Sequence, residues 1–368
     1  MILAHLSDLH LGFRAFERRD RGRNVREVDV ARAFQVAIKK MRDIQPQVVL
    51  VAGDIFDRPE PTQGAMVALA RGLASLREAL PDAKVLMVAG SRDTPHRPGD
   101  PGALAAFDSF PGVEAATARS RVVHLPDLDF HAVLIPHRSA ISDEAEAVTP
   151  DPEARWNVLL AYGDVTSGEE GSGFTVKADE WDYVALGHRH SRLAVRGNVH
   201  YSGSLERVGP APWEEAVAEK GFLSFDLVAG VSTFHPVAGR PVVSLEPIIF
   251  DPARKARLRE RVREVLDEVP GGIGGKIVRL RIQGLGPGDL DQIQKLLHDY
   301  RRQALHLEVS LEDAPRAAEA GPDEDFADSL SDRLAARLGT PDMNEDVIRR
   351  AVEDAVARAS HTVRGSVG

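Results

Sequence analysis

The feature that most constrains this chain is a series of short apolar runs, several of which end in groups able to bind metal ions or carry protons. Residues 2–6, 48–52, 85–89, 131–135, 158–161 and 183–186 are compact β-type runs bounded by turn residues. Between the first two, Val30, Phe34, Ala37, Ile38 and Met41 recur at helical spacing, and residues 66–80 read as a second helix closed by Pro81. Strands alternating with helices predict an α/β domain. The C-terminal ends of strands in such a sheet converge on one crevice. Three of the runs lead into chemistry-bearing residues: Asp8-Leu9-His10, then Gly53-Asp54-Ile55-Phe56-Asp57-Arg58, then Gly187-His188-Arg189-His190. Carboxylate oxygen with neutral imidazole nitrogen is the donor set for Mn, Fe or Zn. A lone Asp-x-His is commonly capping chemistry, and a lone His-x-His often lies on one strand face. The three together, each at a strand end, point to a metal centre.

At 368 residues the chain exceeds one typical core. After Gly187 it becomes strand-rich, at 199–202, 222–227 and 231–236. Around Pro241 the character changes. Residues 254–269 form a charged amphipathic helix broken by Pro270-Gly271-Gly272, 277–283 alternate as a strand, 290–301 are helical, and 305–310 form another strand. The expected organisation is a principal domain over 1–240, a small α+β unit over 241–312, a linker over 313–323 and a helical segment over 324–368. In that segment two helices, 324–338 and 344–359, flank Gly339-Thr340-Pro341. Phe326, Leu330, Leu334 and Leu338 make one apolar stripe, and Val347, Ile348, Ala351, Val352, Ala355 and Val356 another. Either the hairpin buries both stripes against itself, or it docks on a partner or a second copy, since two short helices rarely form a core alone.

A net charge of −10 argues against a uniformly basic nucleic-acid binder. From Asp313 onward, twelve acidic residues face seven basic ones, whereas Arg14, Arg18, Arg19, Arg21, Arg23 and Arg26 face only Glu17 and Asp20. Attraction for phosphate must be local, and this arginine cluster is either its source or a solvated loop. The absence of cysteine excludes disulfides, thiolate metal sites and cysteine nucleophiles. No apolar run approaches the ~20 residues that span a bilayer. The N-terminus has no basic n-region, and Asp8 and His10 interrupt its apolar start. A cytoplasmic location is the expectation.

The order Asp-x-His, Gly-Asp-x-x-Asp-Arg, Gly-x-x-Asp, Gly-His-x-His resembles the calcineurin-like metallophosphoesterases. The stretches from His5 to Gly12 and from Tyr201 to Arg207 resemble the SbcD-like branch of double-strand-break-repair exonucleases. The resemblance implies a β-sandwich flanked by helices, a capping domain at the α+β unit, and a C-terminal helical segment that docks on an SMC-type coiled-coil ATPase. It also implies DNA as substrate and Mn as cofactor, with Fe or Zn as other candidates. One metal would be held by Asp8, His10, Asp54 and His190. A second would share Asp54 and take His188, an Asn and another His.

The family's Gly-Asn-His-Asp/Glu reads Gly90-Ser91-Arg92-Asp93 here, and Tyr162 stands where the later His belongs. Ser91 is a poor ligand, and a phenol binds metal well only after losing a proton at pKa ≈ 10. Arg92 replaces the histidine thought to serve the leaving oxygen, and with a pKa above ~12 it cannot be a general acid near neutrality. The expectation is a subunit that binds DNA and an ATPase, holds one metal well, and has weak or lost phosphodiester hydrolysis. Two alternatives stand beside it. One is an active Mn-dependent exo/endonuclease with a rearranged second site, for which His96 and Asp164 lie near in sequence. The other is a small-molecule phosphodiesterase or phosphatase. A homodimer is compatible with each.

Overall fold

Val48–Ala52 is buried along its whole length and pairs in parallel with Ile2–Leu6 on one side and Lys84–Val88 on the other. A strand covered on both faces needs apolar residues at every position, which explains why this run shows no alternation. It lies near the middle of a six-stranded sheet in the computed structural model. The spatial order is Val231–Pro236, Gly221–Asp226, Ile2–Leu6, Val48–Ala52, Lys84–Val88 and Val113–Ala116. A second six-stranded sheet runs Leu193–Arg196, Val199–Tyr201, Tyr183–Gly187, Trp156–Tyr162, Phe130–Ile135 and Arg121–Leu125. The structure describes residues 1–313, apart from 98, 142–148, 167–173 and 176. The expected helices at 324–338 and 344–359 lie outside the described residues, as does all but the first residue of the 313–323 linker.

The two sheets share a core of Leu3, Leu50, Leu86, Leu134, Leu160, Tyr183 and Phe225. On the other face of the first sheet, Ala4, Leu6, Val49, Val51 and Met87 pack against Phe34, Met41, Leu69 and Leu73 of the helices Val25–Ile44 and Gln63–Ala79. The first helix starts at Asn24, whose side chain accepts from the Arg26 N–H, and the second at Thr62, which accepts from the Ala65 N–H. The fold is thus α/β, a β-sandwich with helices outside. Sequence periodicity missed the strands at Val113–Ala116, Arg121–Leu125 and Leu193–Arg196. The last, Leu-Ala-Val-Arg, is only four residues long, shows no polar–apolar alternation and is exposed at all of its positions.

Residues 242–312 build a separate four-stranded sheet. Its central strand Ile277–Gln283 pairs in parallel with His306–Glu312 along one edge, and with Val242–Ser244 and Ile248–Ile249 along the other. Helices Leu258–Asp267 and Pro287–Gln303 pack on it through Val262, Leu266, Ile293 and Leu297. The single helix expected over 254–269 is shorter. Arg254 is non-helical at φ −118° and ψ 31°, inside a 3-10 segment that precedes Leu258. This unit meets the sandwich through a stacked pair, Phe16 on His306 at 4.1 Å, and through a guanidinium, Arg279 over Trp213 at 4.8 Å.

Candidate metal centre

The loops after three parallel strands come together at one end of the sandwich. The loop following Ile2–Leu6 zips onto the loop following Val48–Ala52: the N–H groups of Asp8, His10 and Leu11 donate to the carbonyls of Gly53, Asp54 and Ile55 at 3.0, 2.9 and 2.8 Å. His188, after Tyr183–Gly187, donates its N–H to both carboxylate oxygens of Asp8 at 3.2 Å. Asp8, His10, Asp54 and His188 have left-handed backbones, with φ of 51°, 47°, 47° and 109°. Such conformations cost ~1–3 kcal/mol each in L-residues and persist only where the surroundings over-determine them. The zipped loops supply that constraint, and they bring the side chains of Asp8, His10 and Asp54 together.

Asp8, His10 and His190 each present a donor atom within 4.8 Å of the others. Asp54 joins them, with Oδ2 lying 3.8 Å from His10 Nε2. Both imidazoles are held from behind. His10 Nδ1 lies 3.3 Å from Asp57 and His190 Nδ1 lies 3.3 Å from Glu215, which is ion-paired in turn to the buried Lys220. A carboxylate behind the ring orients an imidazole and leaves its other nitrogen as the donor. Against its own burial, Glu215 is held down to about 2 by His190 and Lys220. Burial, and then the charge of Asp54, raises Asp8 above the usual carboxylate range. Burial opposes protonation of His10, but Asp57, Asp54 and Asp8 together lift it above the ordinary imidazole value. His10 Nε2 is buried with no hydrogen-bond partner. Crowded carboxylates and an orphaned buried nitrogen are what a cation would relieve, so these four residues fit a divalent metal ion.

The neighbouring position is filled differently. The Tyr162 hydroxyl donates to Asp54 Oδ2 at 2.7 Å and lies 3.0 Å from Ser91 Oγ and 3.2 Å from His188 Nδ1. One phenolic oxygen thus stands among Asp54, Ser91 and His188. Asp54 Oδ1 is also engaged, accepting from the Arg92 N–H at 2.7 Å. Burial, and then the charges of Asp54 and Asp8, pushes the Tyr162 pKa far upward, so the group is a neutral phenol. The ring lies flat against glycines: a Cβ on Gly53 would come within 2.3 Å of Tyr162 Cδ2, and one on Gly90 within 2.8 Å of Cε2. Asp93 braces the floor by accepting the N–H groups of Ile55, Phe56 and Gly90, and burial beside Asp54 moves it up to about 7.

A model of the calcineurin-like phosphoesterase family matches residues 1–192. The chain belongs to this family. A relative of this phosphoesterase, the DNA double-strand break repair protein Mre11 of Methanocaldococcus jannaschii, is 27% identical over 239 residues. The match covers 61% of this chain and 62% of that protein, so the chain spans less than two thirds of the relative's length.

Several residues of the phosphoesterase singled out in its sequence sit elsewhere than the metal point. Arg92 is exposed beside the opening, and His188 lies half exposed with Nε2 3.5 Å from Asp164, which also pairs with Arg189. His96 is exposed and is not brought into the cluster. Arg18, Arg19, Arg21 and Arg23 are exposed on a short hairpin, and Arg14, half exposed, is paired to Glu27. Arg26 corrects the expectation of a six-arginine phosphate surface. It is 1% exposed and spent on Asp29 and Glu206.

Sequence reading missed His137, whose ring meets Tyr162 edge-on at 5.6 Å. It follows the strand Phe130–Ile135, so its position after a buried run was the available signal. Asp57 lay inside a quoted motif, and Glu215 and Lys220 had no local signal at all. Among the described residues, no helix is long and apolar enough to cross a membrane.

Proposed function

We propose that this phosphoesterase is a DNA-repair-type subunit that engages DNA through one strong divalent-cation site and hydrolyses phosphodiesters weakly or not at all. The observation that carries this reading is the neutral Tyr162 hydroxyl standing among Asp54, Ser91 and His188. Asp8, His10, Asp54 and His190 would hold the cation, Mn in the first instance. When bound, such an ion supplies Lewis-acid polarisation of a phosphoryl oxygen. Asp57 and Glu215 orient the two imidazoles, and Tyr162 supplies a fixed proton donor to Asp54 in place of a second charge. The family's usual clamp on both reacting oxygens needs two metals, and a missing general acid alone costs ~10²–10⁴ in rate.

Exposed Arg18, Arg19, Arg21 and Arg23 would meet the DNA backbone. Arg18 donates to the Arg302 carbonyl at 3.1 Å, which joins the cluster to exposed Arg301 and Arg302 of the small α+β unit. Under this reading that unit is a capping domain, and the segment 324–368 docks on an SMC-type ATPase or a second copy. The Mre11 relative supports DNA-end repair as the context.

The test is cleavage of end-labelled double-stranded DNA in Mn²⁺, with Asp54→Ala as control. No cleavage by either protein, with DNA binding retained, supports the reading. Cleavage lost in the control overturns it. One specific contact favours a second reading: His188 Nε2 and Asp164 face each other at the opening and could hold a displaced second cation. In that case cleavage occurs and Asp164→Ala removes it.

A further inference from the structure

At the far end of the second sheet from the metal centre lies another group of donors. His124 on Arg121–Leu125 stands directly opposite His131 on the antiparallel strand Phe130–Ile135. Their rings meet edge-on at 4.8 Å. Asp151, in the loop leading to Trp156–Tyr162, brings Oδ2 to 3.9 Å from His124 Nδ1. One donor atom from each of the three residues lies within 4.8 Å of the other two. His131 is the second residue of its strand and His137 follows the end of the same strand. At ~3.3 Å per residue the two ends are on the order of 20 Å apart, so this cluster is independent of the Asp54 centre.

The decisive observation is His131. It is 5% exposed, and neither of its ring nitrogens makes a well-aligned hydrogen bond, the Thr149 backbone offering only a weak one. Burial, and then the facing His124, holds it below the ordinary imidazole value, with the Thr149 backbone and Asp151 pulling the other way. A buried imidazole without a well-formed hydrogen bond is destabilising, and a bound cation would offset that. A neutral ring with a free nitrogen is also the form that ligates metals. Asp151 is pre-positioned. Its N–H donates to Asn157 Oδ1 at 2.7 Å and its carbonyl accepts from Asn157 Nδ2 at 3.0 Å. Its Oδ1 accepts the Glu153 N–H at 3.0 Å, which leaves Oδ2 facing His124. The His124 side chain is 56% exposed and free to close the remaining gap.

We propose that His124, His131 and Asp151 form a second transition-metal site that clamps the edge strand and the Asp151 loop to the sheet. Two imidazoles and one carboxylate select a borderline ion such as Zn²⁺, Co²⁺ or Ni²⁺ over Mg²⁺ or Ca²⁺. Solvent would complete the coordination on the exposed side. The role is structural, because no other chemistry-bearing group of the described residues joins these three.

The experiment measures Zn²⁺ bound by the full chain at equilibrium, by elemental analysis after dialysis, for the wild type, His124→Ala, His10→Ala and the double variant. His124→Ala changes a half-exposed side chain and should leave the fold intact. Loss of a mere orienting partner weakens metal sites ~10–100-fold, so loss of a ligand should weaken this one by ~100-fold or more. The expected result is that His124→Ala loses one Zn²⁺ equivalent, His10→Ala loses a different one, and the losses add. A second readout is thermal: Zn²⁺ should raise the Tm of His10→Ala and not that of the double variant. Unchanged Zn²⁺ stoichiometry and affinity in His124→Ala would overturn the proposal, as would equal Zn²⁺ stabilisation of His10→Ala and the double variant.

Discussion

Replacing Tyr162 with phenylalanine removes the oxygen that stands among Asp54, Ser91 and His188. The hydroxyl donates to Asp54 Oδ2 at 2.7 Å, and Asp54 is 3% exposed, so this bond is shielded from bulk solvent. A hydrogen bond to a charged group contributes ~1.5–3 kcal/mol, and a buried acceptor left unsatisfied costs a similar amount. Tyr162→Phe also strips Ser91 Oγ and His188 Nδ1 of a shared partner. The metal-free variant should therefore be less stable by ~2 kcal/mol. At ~2.1 cal/mol/K per residue, a cooperative unit of some 300 residues then loses roughly 3 °C in Tm. Mn²⁺ should reverse the order of effects. In the wild type the phenol already neutralises part of the demand at Asp54, whereas in the variant Oδ2 is free for a cation. The Mn²⁺-induced rise in Tm should be larger for Tyr162→Phe than for the wild type. The assay is differential scanning calorimetry with chelator and with saturating Mn²⁺. A variant as stable as the wild type in chelator, with the same Mn²⁺ response, would show that Asp54 does not depend on the phenol and would refute the reasoning.

Rebuilding the second ligand set with Tyr162→His and Ser91→Asn should raise bound Mn²⁺ by one equivalent and bring phosphodiester cleavage above background; elemental analysis and a generic phosphodiester substrate check both. Arg26→Met should destabilise by ~1–3 kcal/mol in urea unfolding, because it removes a buried cation shared by Asp29 and Glu206 while Arg240 stays on Asp29, whereas Arg19→Ala and Arg21→Ala should leave unfolding unchanged while weakening DNA binding and its salt dependence. Acid unfolding should depend on His5, which burial and the facing His200 hold down to about 3 between Tyr183 and the Leu186 carbonyl. The unfolded chain binds a proton near pH 6.5 and the folded one does not, so this stability is present above pH ~6.5 and lost as pH falls toward 3. At ~1.4 kcal/mol per pH unit the full effect is on the order of 5 kcal/mol, and His5→Gln should flatten the stability–pH profile over that interval.

The sequence by itself determined the sandwich's central strands and the residues at their ends. Val48–Ala52 is buried on both faces, so its composition had to be apolar throughout, and a polar Gly-Asp turn could follow only where the strand leaves the core. Asp8, His10, Asp54, His188 and His190 were legible for that reason, as were the departures at Ser91, Arg92 and Tyr162. The peripheral strand Leu193–Arg196 was not, because four residues without polar–apolar alternation are too short to mark a strand by pattern. Only the tertiary structure decided which arginines face water: Arg26 looks like its neighbours in sequence, yet the helix Val25–Ile44 carries it inward onto Asp29 and Glu206. It also decided what Tyr162 does, since the sequence does not say that its hydroxyl reaches Asp54, Ser91 and His188. The pairing of His190 with Glu215, of His10 with Asp57, and of His124 with His131 and Asp151 depends on distances between segments far apart in the chain. Those distances are set by sheet register and loop closure, which no local pattern of residues encodes.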